Sequence, residues 1–405
     1  RDWSSDVCSS DLSIVYFVGP AVTLLVSPAF SYDPINPVKL LVLASGGICI
    51  FAILLAEFSR LKKQIRAALL ALTLVFLAGL LIPIVFLHTS LTQQIWGTFG
   101  RNTGLVTYLS LASIFLGTCA LQRGEWQEKI LNALIWTNVP MAIYCFLQIL
   151  HMDPVAWSQY APFGTLGNVN FLSSFLGIVS VAAVVLLLRP KTSKSRKWFL
   201  GLLVVSNIFV IIQTQSIQGL LVFAAGLSFA FYFLWRRFVR SRQLSSWMAR
   251  LYWLPMSGAI ALGILGIADK GPLAPFLFQQ TVLFRFDYMR AAIKMMVTHP
   301  FTGVGLDGYG DFYRSNRDIL AAFRTGLNRT SNSAHNIFLD IGSGAGVIPF
   351  LAYIGLVAFV LVLAIKKIVS SQTLDFPLLA ITSSWIGYIA QAMGSINQVG
   401  VGIWR

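Results

Sequence analysis

Two side chains in a long polar stretch, residues 269–341, have chemistry suited to an anionic substrate. Arg285 carries a guanidinium, which binds phosphate groups through paired hydrogen bonds. His335 carries an imidazole, which accepts a proton when it is uncharged. Because both lie outside the apolar runs of the chain, the stretch that contains them is the first candidate for a reaction site.

The segment around Arg285, residues 279–298, has the periodicity of a helix. Five apolar residues repeat alternately four and three positions apart, as one helical stripe requires; they are Val282, Phe286, Met289, Ile293 and Met296. At about 100° per residue, Asp287, Arg290 and Lys294 share a solvated polar face, whereas Arg285 falls on the opposite flank. The pattern predicts a helix along the membrane surface, with Arg285 directed either at a substrate or at lipid headgroups.

A second motif, residues 330–340, places Ser and Asn residues just before an apolar run. Such residues cap helices, which predicts that His335 occupies the first turn of the tenth membrane span. The positive end of the helix dipole would keep the imidazole neutral and would attract an anion such as a diphosphate. A histidine with a purely structural role at the helix end is the alternative.

Asn168 and Asn170 stand at the entrance of the sixth predicted span, where helix capping and substrate contact are equally open. The outer face carries no convincing metal-ligand spacing of Asp, His or Cys. The glycines of residues 303–308 match a dinucleotide fingerprint but lack the preceding buried strand that it needs. We therefore expect neither a metal nor a cofactor.

The remainder of the chain is too apolar for a soluble protein. It has 405 residues, of which 56% are hydrophobic and 11% charged, and its mean hydropathy is +0.73. Its apolar runs are about 20 residues long, the length that crosses a bilayer as a helix. We predict an all-α polytopic transmembrane bundle of about 11 to 12 spans: 12–30, 40–56, 68–87, 104–121, 130–150, 170–188, 198–213, 217–235, 251–268, 342–365, 376–393 and a cut-off span after 395.

This pattern divides the chain into four parts. Residues 1–11 are expected to be a non-native or disordered leader, and residues 12–268 form spans one to nine. Residues 269–341 form a long periplasmic loop that contains short helices and the candidate site, and residues 342–405 form truncated C-terminal spans.

Basic residues in the connections indicate the orientation, because short cytoplasmic loops retain Lys and Arg. The connections rich in Lys and Arg are 57–66, 189–197 and 236–250. The connections 88–103, 151–169 and 214–216 together contain a single Lys or Arg, which is Arg101. The latter and the long loop are therefore predicted to face outward. Since the net charge of +15 is dispersed among short clusters rather than gathered on one face, we expect no nucleic-acid partner. The near absence of ionisable residues within the spans disfavours ion-coupled transport.

Three blocks of sequence, 164–171, 285–309 and 334–340, occur in the same order as in the bacterial O-antigen ligase and polymerase superfamily, which the chain resembles. The resemblance implies a bacterial inner-membrane glycosyltransferase that needs no metal and no nucleotide. It would transfer a glycan from undecaprenyl diphosphate to an acceptor hydroxyl on the periplasmic side, with inversion. Arg285 matches the family's loop arginine and His335 its essential histidine.

The resemblance also implies roles for these residues. Arg285 would bind the diphosphate, assisted by Arg290 or Arg324, and His335 would orient or deprotonate the acceptor. The substrate-binding candidates are Arg290, Arg324, Asn168, Asn170 and Asn336. Many ligases have an arginine after a serine near the eighth span, but residues 213–219 contain none, so the second phosphate has no assigned partner.

Besides membrane lipids, the implied partners are the lipid-linked donor and a lipid or protein acceptor. The acceptor stays open among lipid A core in lipopolysaccharide biosynthesis, a growing repeat-unit chain, and a protein serine or threonine. We expect an O-antigen ligase first and a polymerase or protein O-oligosaccharyltransferase as the alternative. A non-enzymatic transporter of lipid-linked glycans is an alternative from a different functional class.

Overall fold

The protein is an all-α bundle in a computed structural model, which describes residues 12–27, 29, 32–121, 126–153, 155 and 161–404. The leader predicted for residues 1–11 lies outside this part. Every regular element of the described residues is helical, and they contain no strand. The predicted fold class is confirmed, as expected for a chain whose backbone polar groups must pair within each membrane segment.

Fifteen helices are numbered here in chain order. They are α1 (Val15–Leu24), α2 (Asn36–Ala56), α3 (Ala67–Phe86), α4 (Leu105–Ala120), α5 (Trp126–Ile149), α6 (Val169–Leu187), α7 (Lys194–Gln213), α8 (Ile217–Ser241), α9 (Trp253–Ile267), α10 (Gln280–Thr298), α11 (Tyr309–Asn316), α12 (Ile319–Thr325), α13 (Ile337–Ala345), α14 (Val347–Ser370) and α15 (Phe376–Ala392). Shorter helical turns are Leu12–Ile14, Phe58–Leu61, Leu91–Trp96, Gly164–Leu166, Ser246–Arg250, Ala274–Leu277 and Val399–Gly402.

Among the described residues, eight helical segments are long and apolar enough to cross a membrane. They are α2, α3, α5, α6, α7, α8, α14 and the segment Trp247–Ile267, which contains α9. The predicted span 12–30 is too long, since α1 covers only ten residues and the backbone turns extended at Leu25. The helix ends there because the buried Lys39 ammonium takes up its last carbonyl oxygens, those of Val22, Thr23 and Leu25, at 2.9, 2.6 and 3.2 Å.

Helix α6 is the centre of the bundle and packs against α7, α8 and α15. Of its most apolar 18 residues, 83% are buried, a far larger share than in the other membrane-length helices described. Small residues bring its backbone close to that of α8: a Cβ on Gly219 would lie 2.5 Å from the carbonyl oxygen of Ser173. Only glycine allows this approach, which sets the position of the first turn of α8.

The long polar stretch is folded into a layer with a small core of its own. Ala291, Met295, Tyr309, Tyr313 and Ala334 are buried together there, between α10, α11 and the segment before α13. Helix α10 also packs against α13. Side-chain packing of the layer, rather than chain connectivity, therefore positions the residues before α13.

The tenth predicted span is divided in two. Helix α13 ends at Gly346, whose φ of +88° is a left-handed conformation that favours glycine, and α14 begins at the next residue. The prediction that His335 occupies the first turn of a membrane span is therefore wrong. It precedes the short helix α13 by two residues.

Candidate active site

His335 lies on a tight turn immediately before α13. Its φ of +53° is unusual for a residue with a side chain, and its main-chain N–H donates to Ser333 Oγ at 3.0 Å. The imidazole packs against the Tyr288 ring, with centroids 5.4 Å apart. Burial lowers its pKa to about 4, and the positive charges of Arg285 and Arg101 add to this effect. The imidazole is therefore neutral at neutral pH, but by burial and nearby cations rather than by the helix position predicted.

Asn336 is the residue that caps α13. Its side-chain oxygen accepts a hydrogen bond from the N–H of Leu339 at 3.1 Å. Its Nδ2 donates to the carbonyl oxygen of Met393, also at 3.1 Å. The cap therefore ties the turn of His335 to the end of α15.

Arg285 reaches the same end of α15. Its Nη1 donates to the carbonyl oxygen of Gly394 at 2.9 Å. The amide orientation that satisfies Gln218 turns its oxygen to the guanidinium, at 3.1 and 3.2 Å from the two terminal nitrogens, while the Gln218 nitrogen donates to Ser395 Oγ at 3.3 Å. Arg285 thus points into the protein, which favours the interpretation as a substrate-directed side chain over one that snorkels.

The turn 393–395 is thus the meeting point of three elements. Helix α10 brings Arg285, the cap of α13 brings Asn336, and the first turn of α8 brings Gln218. Burial lowers the pKa of Arg285, but the usual value for arginine is so high that the group remains a cation. The arrangement combines a fixed positive charge with a neutral imidazole, which is suited to holding an anion beside a hydroxyl that loses its proton.

Asn168 and Asn170 both form hydrogen bonds at the beginning of α6. Asn168 caps the helix by accepting from the N–H of Asn170 at 2.8 Å. Asn170 Oδ1 accepts from Ser216 Oγ at 2.7 Å and so joins α6 to the beginning of α8. Capping is therefore present at Asn168, whereas contact of either residue with a substrate stays a prediction.

Arg290 and Arg324 share a carboxylate. Arg324 pairs with Asp287 through two hydrogen bonds, of which Nε to Oδ2 is 3.2 Å, and Arg290 Nη1 lies 3.9 Å from Asp287. Asp287 was placed on the solvated face of its helix by the periodicity, and this is wrong: it is buried because Arg324 of α12 covers it. The roles of Arg290 and Arg324 in substrate binding stay predictions.

The predicted apolar stripe of α10 is not the face of the helix that is buried in the protein. Phe286 and Ile293 are exposed, and the buried apolar positions are Phe284, Ala291, Ala292 and Met295. An exposed apolar stripe on a helix beside a membrane is consistent with the predicted position along the membrane surface.

Arg101, which precedes α4, makes a buried ionic network below the turn of His335. Its Nη2 lies 3.3 Å from Asp307 Oδ1 and 3.8 Å from Asp340 Oδ2, and its Nη1 donates to the carbonyl oxygen of Asn332. The sequence marked Arg101 only as the one basic residue of the short outer loops. Its acidic partners were not predicted.

Sequence reasoning also missed Gln218, Gly394 and Ser395. A signal existed for Gln218, which lies in the segment where the resemblance leads one to expect an arginine. For the other two the only signal was the polar composition of residues 391–398 after an apolar helix. Within the residues that the structure describes, no group of three or more His, Cys, Asp or Glu side chains could hold a metal ion.

A comparison with protein families connects this geometry to a known group. Residues 170–354 match the family model described as O-antigen ligase. This segment is an O-antigen ligase domain. It includes Gln218, Arg285 and His335, whereas Arg101 and the turn 393–395 lie outside the match. The predicted resemblance is therefore confirmed over this segment, and a search of curated proteins found no match to the chain.

O-antigen ligase domains belong to a family of glycosyltransferase-like ligases and polymerases, whose partners are lipid-linked glycans and acceptors. Together with the eight membrane-length helical segments of the described residues, the domain indicates an integral membrane protein that acts on lipid-linked glycans.

Proposed function

We propose that this protein transfers a glycan from undecaprenyl diphosphate to an acceptor hydroxyl, as an O-antigen ligase does. The observation that carries the proposal is the convergence of Arg285 and the His335 turn on residues 393–395. A cation for the diphosphate and a neutral base for the hydroxyl then lie at one end of the bundle. The alternation of basic loops supports a periplasmic location of this end in the bacterial inner membrane.

Each group has a defined part in the reaction. The acceptor oxygen attacks the anomeric carbon in line, so that a new glycosidic bond forms as the bond from that carbon to the phosphate oxygen breaks. The acceptor proton passes to the His335 imidazole. Undecaprenyl diphosphate leaves with both electrons of the broken bond, and Arg285 stabilises its increasing negative charge. This route inverts the anomeric configuration and uses no metal or cofactor.

The membrane location follows from the donor. The polyprenyl tail of the donor is soluble only in hydrocarbon, and it would lie against the spans while its diphosphate reaches Arg285 at the surface. Phe286 and Ile293, exposed apolar residues of α10, would contact the polyprenyl chain beside the site.

The test is transfer by purified variants in detergent. Arg285→Ala and His335→Ala should each reduce transfer of a labelled glycan by about 100-fold or more, since single electrostatic or proton-transfer groups contribute on this scale. Arg314→Ala and His299→Ala are matched controls from the same long stretch, and both side chains are exposed. Near-normal transfer by either Arg285→Ala or His335→Ala, with correctly inserted protein, would refute the assignment.

Three acceptors in the same assay identify the reaction within the family. Transfer to lipid A core indicates a ligase, transfer to a second lipid-linked repeat unit a polymerase, and transfer to a serine or threonine peptide a protein O-oligosaccharyltransferase. Detergent removes the two sides of the membrane, so any transfer there argues against a transporter.

A further inference from the structure

The starting observation is a buried arginine outside the O-antigen ligase domain. Arg101 is 7% exposed and precedes α4, more than 200 positions from its partners in the chain. It contacts Asp307, Asp340 and the carbonyl oxygen of Asn332. Burying an unpaired guanidinium is strongly unfavourable, so these contacts hold the surrounding segments together.

One branch of the network leads to His335. Asp340 Oδ2 accepts from Ser333 Oγ and Asp340 Oδ1 accepts from the N–H of Ala334, both at 2.7 Å. Ser333 Oγ in turn accepts from the main-chain N–H of His335 at 3.0 Å. A short series of contacts therefore runs from Arg101 through Asp340 and Ser333 to the backbone of His335.

The other branch fixes Arg101 itself. Asp307 Oδ2 accepts from the N–H of Thr98 at 2.7 Å, and Asp307 Oδ1 accepts from Thr103 Oγ1 at 2.9 Å. The segment around Arg101 is therefore held on both sides against residue 307. This gives the guanidinium a rigid support, which a flexible surface arginine lacks.

The backbone of His335 needs such support. A left-handed φ at a residue with a side chain is unfavourable and persists only where neighbouring contacts determine it. The hydrogen bonds from Ser333 and Ala334 to Asp340 determine this turn, and Arg101 balances the charge of the carboxylate that receives them.

From these contacts we propose that Arg101 is a positioning residue of the transfer reaction. It fixes the main chain of residues 333–335 through Asp340 and so presents the His335 imidazole to the acceptor. The proposal rests on the proposed function of His335 and adds a residue from a separate part of the chain. Arg101 touches neither donor nor acceptor.

The charged and titratable groups that face the imidazole come from two elements. They are Arg285 and Tyr288 of α10 and Arg101 from the segment before α4, while Asp340 of α13 acts through Ser333 and Ala334. Because Arg101 and Arg285 both disfavour the imidazolium, removal of Arg101 should also raise the pKa of His335. This pKa change tests the proximity of the two groups, and the loss of kcat at unchanged KM tests the positioning role.

The experiment compares Arg101→Met, Arg101→Lys, Ser333→Ala and Ser343→Ala in the purified full chain. Arg101→Met should lower kcat by about 10- to 100-fold, since a small misplacement of a catalytic group costs on this scale, while KM for the donor stays within about twofold. Arg101→Lys should restore part of kcat. Ser333→Ala breaks the same series without removing a charge and should also lower kcat at unchanged KM. Ser343, equally buried on α13, is the control.

The outcomes separate this inference from the proposed function. If His335→Ala is inactive while Ser333→Ala keeps the kcat of the unaltered protein, the positioning role is refuted and the catalytic role of His335 stands. If the unaltered protein transfers no glycan, NMR titration of His335 still decides: an unchanged pKa in Arg101→Met refutes the coupling, whereas Arg101→Lys keeps the positive charge and should leave the pKa near its original value. If Arg101→Met does not fold, Ser333→Ala and Arg101→Lys supply the decision.

Discussion

The charge state of His335 allows a quantitative prediction of pH dependence. Its pKa falls from the usual 6.5 to about 4, first because the side chain is buried and second because Arg285 and Arg101 face it. A lowering of about 2.5 pH units corresponds to about 3 kcal/mol in favour of the neutral form. Transfer by a neutral imidazole should therefore persist as the pH falls from 7 to 5 and decline only as it passes through about 4.

The same shift affects stability in a defined direction. Between pH 6.5 and 4 the unfolded chain binds a proton at this histidine, whereas the folded protein does not. Lowering the pH through this window therefore favours unfolding, by up to about 3 kcal/mol from this one group. His335→Gln removes this contribution, so the difference in free energy of unfolding between the two proteins should change over the window and be constant above pH 7.

The direct measurement is an NMR titration of histidine-labelled protein in detergent micelles. The chain has four histidines, and the signal missing from His335→Gln identifies His335. The reasoning is refuted if that signal titrates near 6.5, or if transfer is half lost near pH 6.5 while the protein stays folded.

Two further predictions concern stability away from the reacting groups. Lys39→Met should lower the free energy of unfolding by about 1–3 kcal/mol, because three carbonyl oxygens at the end of α1 lose the ammonium that donates to them. Thermal unfolding in detergent measures the loss, and an unchanged melting temperature contradicts the assigned contact. Asp287→Ala should lower the free energy of unfolding by about 1–3 kcal/mol. This loss is smaller than for a fully buried ion pair because Arg324 is 42% exposed. Asp318→Ala, at an exposed position, is the control, and equal unfolding curves for the two variants would contradict the prediction.

Hydropathy and periodicity predicted most of the helices because membrane insertion imposes length and composition on each segment separately. The predicted helix 279–298 is observed as α10, and the sixth span begins at the asparagine cap that its sequence indicated. These features depend on residues within a few positions of one another, which a single sequence displays directly.

The missed features depend on contacts between distant segments. The residues next to Arg101 and Asp340 in the sequence do not indicate that the two side chains form an ion pair. The two residues are more than 200 positions apart. Asp287 was misplaced for the same reason, since periodicity cannot show that α12 supplies Arg324 to cover it. The division at Gly346 was missed because glycines within an apolar run are also common inside membrane helices.

The close approach of α6 and α8 at Gly219 couples the packing of these two helices to the position of Arg285. Gln218, the neighbour of Arg285, is the residue directly before that glycine. A methyl group added at position 219 would have to displace the first turn of α8, and the guanidinium would lose its amide neighbour. A genetic screen for inactive proteins should therefore recover substitutions at the close contact between α6 and α8 whose phenotype resembles the loss of Arg285.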